Sequence, residues 1–165
     1  MRKTFLGIVI LLILTPLITA QYVNVPASAF TGKDSTVPYT RSTYGEYIYI
    51  PSGGSGYLTA PVILPDGVII KYVRLNFIDN TDSGFILVHL VRLNHFNGIS
   101  ANVFSVTTEN SVSSPSMQWV VDNTASPTSA YRKVRNGQVT WNISAYLSSS
   151  SPDLRIYSVQ IEYMY

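Results

Sequence analysis

Two histidines, nine carboxylates, many hydroxyls and no cysteine are what this 165-residue chain offers to chemistry. Without a thiol, cysteine nucleophiles and thiolate metal sites are excluded. A Ser-His-Asp arrangement would have to use His89 or His95. No serine sits in a Gly-x-Ser-x-Gly elbow, and Gly53-Gly54-Ser55-Gly56 reads as a loop without the strand-to-helix turn that motif needs. His89 falls in the middle of an apolar strand, as a partly exposed or hydrogen-bonded sheet residue, and His95 sits at a strand end beside Phe96. Neither has the partner pattern of a general base. Paired carboxylates for glycoside hydrolysis would need two acids facing one cleft. Asp34, Asp66, Asp79, Asp82 and Asp153 read as turn residues, while Glu46, Glu109 and Glu162 lie in or near strands with nothing linking them. The sequence therefore predicts a protein that is not an enzyme, and a hydrolase with an unrecognised site stands as a second alternative.

A metal site has one candidate. Asp79-Asn80-Thr81-Asp82-Ser83-Gly84 is rich in oxygen and loosely matches the start of a calcium loop, with Asp79 and Asp82 as ligands. The chelating glutamate that closes such a loop is absent, because Leu90 takes its place. A plain turn explains the segment, and no cofactor is expected. The aromatic residues carry more physical content. Tyr and Trp rings stack on the apolar faces of sugars while their polar ends hydrogen-bond. Tyr44, Tyr47, Tyr49 and Trp119 are the candidate glycan-binding residues, whereas Trp141 shares a face with Val139 and Ile143 and reads as core. Asn142-Ile143-Ser144 matches a glycosylation acceptor but lies inside an expected strand, where a glycan fits poorly.

The elements that must position these residues are strands. Val73, Leu75 and Phe77 alternate with Arg74, Asn76 and Ile78, and Ile86, Val88 and Leu90 alternate with Leu87, His89 and Val91. We expect Val68–Asn94 to form a central hairpin joined by the turn Asp79–Gly84, covered on both faces because both are largely apolar. Asn136-Gly137 predicts a second hairpin between Tyr131–Arg135 and Gln138–Ser144. In the last strand, Leu154–Tyr165, Tyr157, Val159, Ile161 and Tyr163 fall in one row. Leu64-Pro65-Asp66-Gly67 is a tight turn, and Gln21–Thr43, broken by Pro26 and Gly32, suits an edge strand or an extended arm. No stretch holds a helical period. The expected fold is all-β: an antiparallel two-sheet sandwich with jelly-roll or other Greek-key topology.

The first twenty residues are set apart from this domain. Arg2 and Lys3 precede the apolar run Phe5–Leu14, Pro16 interrupts it, and Ala20 offers a small residue for cleavage, the layout of a secretory signal peptide. The run is shorter than the roughly 18 residues a membrane span needs. Residues 21–165 then form one domain with no membrane span, exported to the periplasm, cell surface or medium. Setting Arg2 and Lys3 aside from the eleven basic residues leaves nine against nine acids, so nothing electrostatic draws the domain to nucleic acid or to an anionic membrane.

Ala60-Pro61, Leu64-Pro65-Asp66-Gly67 and the ending Tyr157-Ser158-Val159-Gln160-Ile161-Glu162-Tyr163 give the chain a likeness. It resembles a loose group of small uncharacterised secreted bacterial proteins with a jelly-roll-like β-sandwich. That group has a Pro-x-x-Phe start, to which Pro26–Phe30 is close but longer. The resemblance implies fold and export and transfers no catalytic residue. The expected function is that of a non-catalytic envelope, surface or matrix protein, its partners other copies of itself or other envelope proteins met through the sandwich or the 21–43 arm. A carbohydrate-binding module using exposed Tyr and Trp is the alternative.

Overall fold

The computed structural model describes residues 19–51, 54–124 and 129–165, so the expected signal peptide lies outside the described residues through position 18. Eleven strands are described: β1 (Gln21–Pro26), β2 (Thr31–Gly32), β3 (Thr40–Arg41), β4 (Ile48–Tyr49), β5 (Gly56–Val62), β6 (Ile69–Asp79), β7 (Ile86–Asn94), β8 (Ser100–Thr107), β9 (Ser114–Asp122), β10 (Val139–Leu147) and β11 (Leu154–Met164). One helical turn, α1 (Ser129–Arg132), precedes β10. Sheet A has the order β3-β4-β11-β6-β9, with β1 also paired along β11, and sheet B the order β2-β5-β10-β7-β8. All pairings are antiparallel. Without the three two-residue strands β2, β3 and β4, the long strands form β1-β11-β6-β9 over β5-β10-β7-β8. This is the order of a jelly roll, two Greek keys folded face to face. Among the described residues no helix is long and apolar enough to cross a membrane.

Alternation explains the core. Val73, Leu75 and Phe77 of β6 and Val159 and Ile161 of β11 point inward from sheet A. They meet Leu58 and Ala60 of β5, Ile86, Val88 and Leu90 of β7 and Trp141, Ile143 and Ala145 of β10. Trp141, 2% exposed, is core as expected.

The stretch 68–94 differs from its expected form. β6 belongs to sheet A and β7 to sheet B, so the turn between them bridges the two layers and the strands do not pair. Each strand is also buried on one face only, since a two-layer sandwich leaves every outer face to solvent. Asp79 closes this crossing. Its side chain is 4% exposed. Oδ1 accepts hydrogen bonds from the Thr81 backbone N–H (3.3 Å) and hydroxyl (2.9 Å). Oδ2 accepts from the hydroxyl of Thr108 at 3.1 Å, and that hydroxyl oxygen accepts from the Ile86 N–H at 3.0 Å. A buried polar relay thus ties the end of sheet A to the start of β7.

Asn136-Gly137 does not turn a hairpin either. Tyr131 and Arg132 belong to α1, and Lys133 makes a single bridge to Ile69. The Asn136 side-chain amide donates to Leu64 O at 2.9 Å, and its N–H donates to Asp66 Oδ1 at 2.8 Å. The pair therefore caps the Leu64–Gly67 turn, where Gly67 has the expected positive φ of 81°. Residues 21–26 are not a free arm. β1 pairs with β11 along its length, from Gln21 opposite Tyr163 to Pro26 opposite Ser158, and Ala27 and Phe30 are buried behind it. β5 runs through Pro61, a residue that removes a donor from the ladder. Partner β2 reaches only as far as Thr59, so the missing N–H of Pro61 falls on the sheet's open side.

Gly56 marks the tightest approach in sheet B. A Cβ there would lie 2.7 Å from Val37 Cγ1 and 2.8 Å from Ile50 Cδ1. Gly56→Ala is expected to destabilise the fold by about 1–3 kcal/mol through overpacking, read from the urea midpoint at unchanged slope.

Candidate functional site

The aromatic residues singled out from sequence fall on the outer face of sheet A, with one exception. Tyr47 and Tyr49 flank the buried Ile48, which brings their rings to 6.3 Å of each other. Tyr157 joins them, 5.5 Å from Tyr47, and the Arg155 guanidinium lies 4.8 Å from the Tyr47 ring centre. Tyr157 was expected in the inward row. A bulge between Ile156 and Ser158 moves it outward while Val159, Ile161 and Tyr163 stay inside. Trp119, 62% exposed, stands on β9 opposite Asn76, with Arg74 packed 4.7 Å from its ring centre. β11 and β6 lie between β4 and β9, so the strand of Trp119 is two spacings, about 10 Å, from that of Tyr157 and three from that of Tyr49. Tyr44, 87% exposed, projects from the turn made by Ser42 and Gly45 and joins neither group.

The other candidates disperse. Asp79 is buried in its threonine relay while Asp82 is exposed, so the two do not converge as ligands. Among the described residues no group of three His, Asp or Glu side chains is placed to hold a metal ion. His95 touches the hydroxyl of Thr140 at the end of the sandwich.

A concave site lies on the opposite layer. On the outer face of sheet B, the registers put Thr59, Ser144, His89 and Ser105 in one row across four strands. Pro61, Asn142, Val91 and Asn102 form the next row. Between them is a depression of about 310 Å³, lined by Lys33, Thr59, His89, Val91, Ser100, Asn102, Asn142 and Ser144. Its lining holds no carboxylate. One row to the other side, Tyr57 opposes Tyr146 with ring centres 4.8 Å apart, and Phe85 meets Tyr146 edge-on at 6.0 Å. Lys33 closes this end, its ammonium 5.1 Å from the Tyr57 ring centre. Hydroxyls, two amides and an imidazole thus converge on one hollow, with a short aromatic wall one row away.

His89 is half-buried there, as its strand position suggested. Its Nδ1 and the Ser105 hydroxyl share a hydrogen bond of 2.7 Å, which leaves Nε2 toward the hollow. Burial holds its pKa below the usual histidine value. The unfolded chain therefore binds the proton more tightly than the native one. Stability is full above the unfolded pKa of about 6.5 and falls as pH drops through and below it. His89→Gln is expected to flatten that acid limb, measured as melting temperature from pH 7.5 to 5.

Sequence reasoning passed over Tyr57, Tyr146, Thr59, Ser144 and Asn142. Their only local signal is polar or aromatic residues at the outward positions of two strands.

The order of its strands makes the chain a jelly-roll β-sandwich. No family model matches the sequence, and no curated protein matches it either. The resemblance to secreted bacterial proteins thus gains no support beyond the fold. Solved structures are similar in shape. The CBM22-1–GH10 modules of Clostridium thermocellum endo-1,4-β-D-xylanase 10B, complexed with xylohexaose, match at 13% identity and a TM-score of 0.53, covering 88% of this chain. The chain spans 28% of that structure's length. A xylan-binding module, CBM15, matches at 10% identity and a TM-score of 0.49 over 88% of this chain and 96% of its own. The infectious bursal disease virus Gx strain structure gives 13% identity and a TM-score of 0.45, over 89% of this chain and 32% of its own. At such identities the likeness bears on fold alone.

Proposed function

We propose that this protein is a non-catalytic carbohydrate-binding domain and that the outer face of sheet B holds the sugar. The observation that carries the reading is the carboxylate-free hollow beside the Tyr57–Tyr146–Phe85 wall. Sugars expose an apolar face and a rim of hydroxyls. A ring packed on Tyr57 and Tyr146 places its hydroxyls over Thr59, Ser144, His89 and Asn142, which donate and accept without carrying net charge. The outer face of sheet A is richer in rings. Arginines already lie against Trp119 and Tyr47 there, and the Asn76 amide beside Trp119 is already bonded to the Ser158 hydroxyl at 3.0 Å.

An exported location, expected from the N-terminal segment, suits such a role. Self-association through an N-terminal arm loses its support, because β1 already pairs within its own sheet. The test is a glycan array followed by calorimetry with the best binder. Xylohexaose, the ligand in the similar xylanase structure, is the first soluble probe. Saturable binding to a neutral oligosaccharide supports the reading; absence of binding across neutral plant, algal and bacterial glycans removes it.

A further inference from the structure

A second pocket, at the end of the sandwich where β7 meets the segment after α1, points to a different ligand chemistry. It has a volume of about 270 Å³ and is lined by Arg92, Asn94, Tyr131 and Arg135. We infer that it is an oxyanion site, taking a sulfate, phosphate or carboxylate group, and this inference stands independently of sugar binding on sheet B.

The charges in the lining are all positive. Arg92 projects near the end of β7, opposite Trp141 on one neighbouring strand and Ala101 on the other, with its guanidinium carbon 5.4 Å from the Tyr131 ring centre. Its Nε is sealed from solvent and has no acceptor among the described residues. Asn94 Oδ1 accepts from the Phe96 N–H at 2.9 Å, and its NH₂ group makes no hydrogen bond among the described residues. Arg135 stands on a fixed turn, because its carbonyl accepts from the N–H groups of Gln138 (2.8 Å) and Val139 (3.0 Å). Among the described residues its side chain hydrogen-bonds to Gln138 Oε1 alone, at 3.5 Å.

No carboxylate answers these cations. All nine acids of the chain lie within the described residues, and the one ion pair found there joins Arg155 to Asp153. Asp66 accepts from the Asn136 N–H, next to Arg135 in the chain, and does not line the pocket. In a domain with so few charges, two arginines facing one hollow without a counter-ion form a focused positive site. Planar guanidinium forks match the paired oxygens of a carboxylate, sulfate or phosphate, and a ring-backed arginine keeps its fork oriented at little entropic cost. The volume suits one such group and part of the molecule that carries it.

The test follows the Arg92 and Arg135 side-chain Nε–Hε signals by NMR at constant ionic strength in chloride. Three probes are titrated separately: sodium sulfate, glucose 6-sulfate, and unmodified glucose. Saturable shifts with sulfate, lost at least fivefold in affinity in Arg92→Lys and in Arg135→Ala but kept in Arg155→Ala, are the expected result. Tighter binding of glucose 6-sulfate than of sulfate identifies a sulfate ester as the source, and equal binding identifies a free anion site. Linear shifts that do not saturate, or affinity unchanged in both variants, overturn the proposal. Arg92→Lys keeps the charge and the apolar stem, and Arg135 is exposed, so both variants are expected to fold, as a melting curve verifies.

Discussion

Replacing Tyr57 and Tyr146 together with alanine is expected to weaken glycan binding more than a hundredfold, and each single replacement about ten- to thirtyfold. A sugar ring seated on one of these side chains removes on the order of 80 Å² of apolar surface from water, worth about 2 kcal/mol or roughly thirtyfold in affinity. The two rings touch, with centres 4.8 Å apart, so their effects are coupled and the double variant measures the wall as a unit. The fold loses the Tyr57–Tyr146 and Phe85–Tyr146 ring pairs, about 2 kcal/mol, because Tyr57 is 43% exposed and neither side chain belongs to the core. Trp119→Ala is the control and is expected to leave affinity unchanged. Calorimetry on the four variants decides between the layers: loss with Trp119→Ala and none with Tyr146→Ala would transfer the site to sheet A.

The second large effect concerns stability. Thr108→Val keeps shape while deleting the hydroxyl that stands between Asp79 Oδ2 and the Ile86 N–H. Two buried groups lose their partner at once, one of them a carboxylate 4% exposed. The expected cost is about 3 kcal/mol, near the upper end for a broken buried hydrogen bond. In thermal unfolding it lowers the midpoint by roughly 10 °C for a domain of this size. Asp79→Leu combined with Thr108→Val is expected to cost less than the sum of the two single variants, because no unpaired carboxylate remains. Additivity in that cycle would show that the relay does not act as one unit.

Much of the fold was legible before the structure, and the misses share a cause. Alternation along Val73–Phe77 and Ile86–Leu90 states which residues face the core, and all six inward positions are buried. It does not state which strand lies beside which. The turn chemistry of Asp79–Gly84 serves a crossing between layers as well as a hairpin, so β6 and β7 were read as partners. Asn136-Gly137 likewise carries a preference for a turn, and tertiary contacts to Leu64 and Asp66 decided what the turn does. The bulge at Tyr157 adds one residue to the count and inverts a ring's side, which a strict period of two cannot foresee. The site on sheet B was hidden for the first of these reasons. Thr59, His89 and Ser144 stand far apart in the chain, and only the placement of β10 between β5 and β7 brings them into one row. Tyr47, Tyr49 and Trp119 were visible because ring type alone marks them, but type does not say whether a ring lines a hollow.

The pairing of β1 with β11 has a mechanical consequence. Gln21 lies opposite Tyr163, so the two ends of the domain leave from the same corner of sheet A. Tension applied between those ends falls first on that pair and then on each next one toward Pro26 and Ser158, peeling β1 away bond by bond. The sandwich would yield at low force when pulled from both ends. Held by one end alone and pulled through a sugar on sheet B, it would bear the load across β10 and its two neighbours instead.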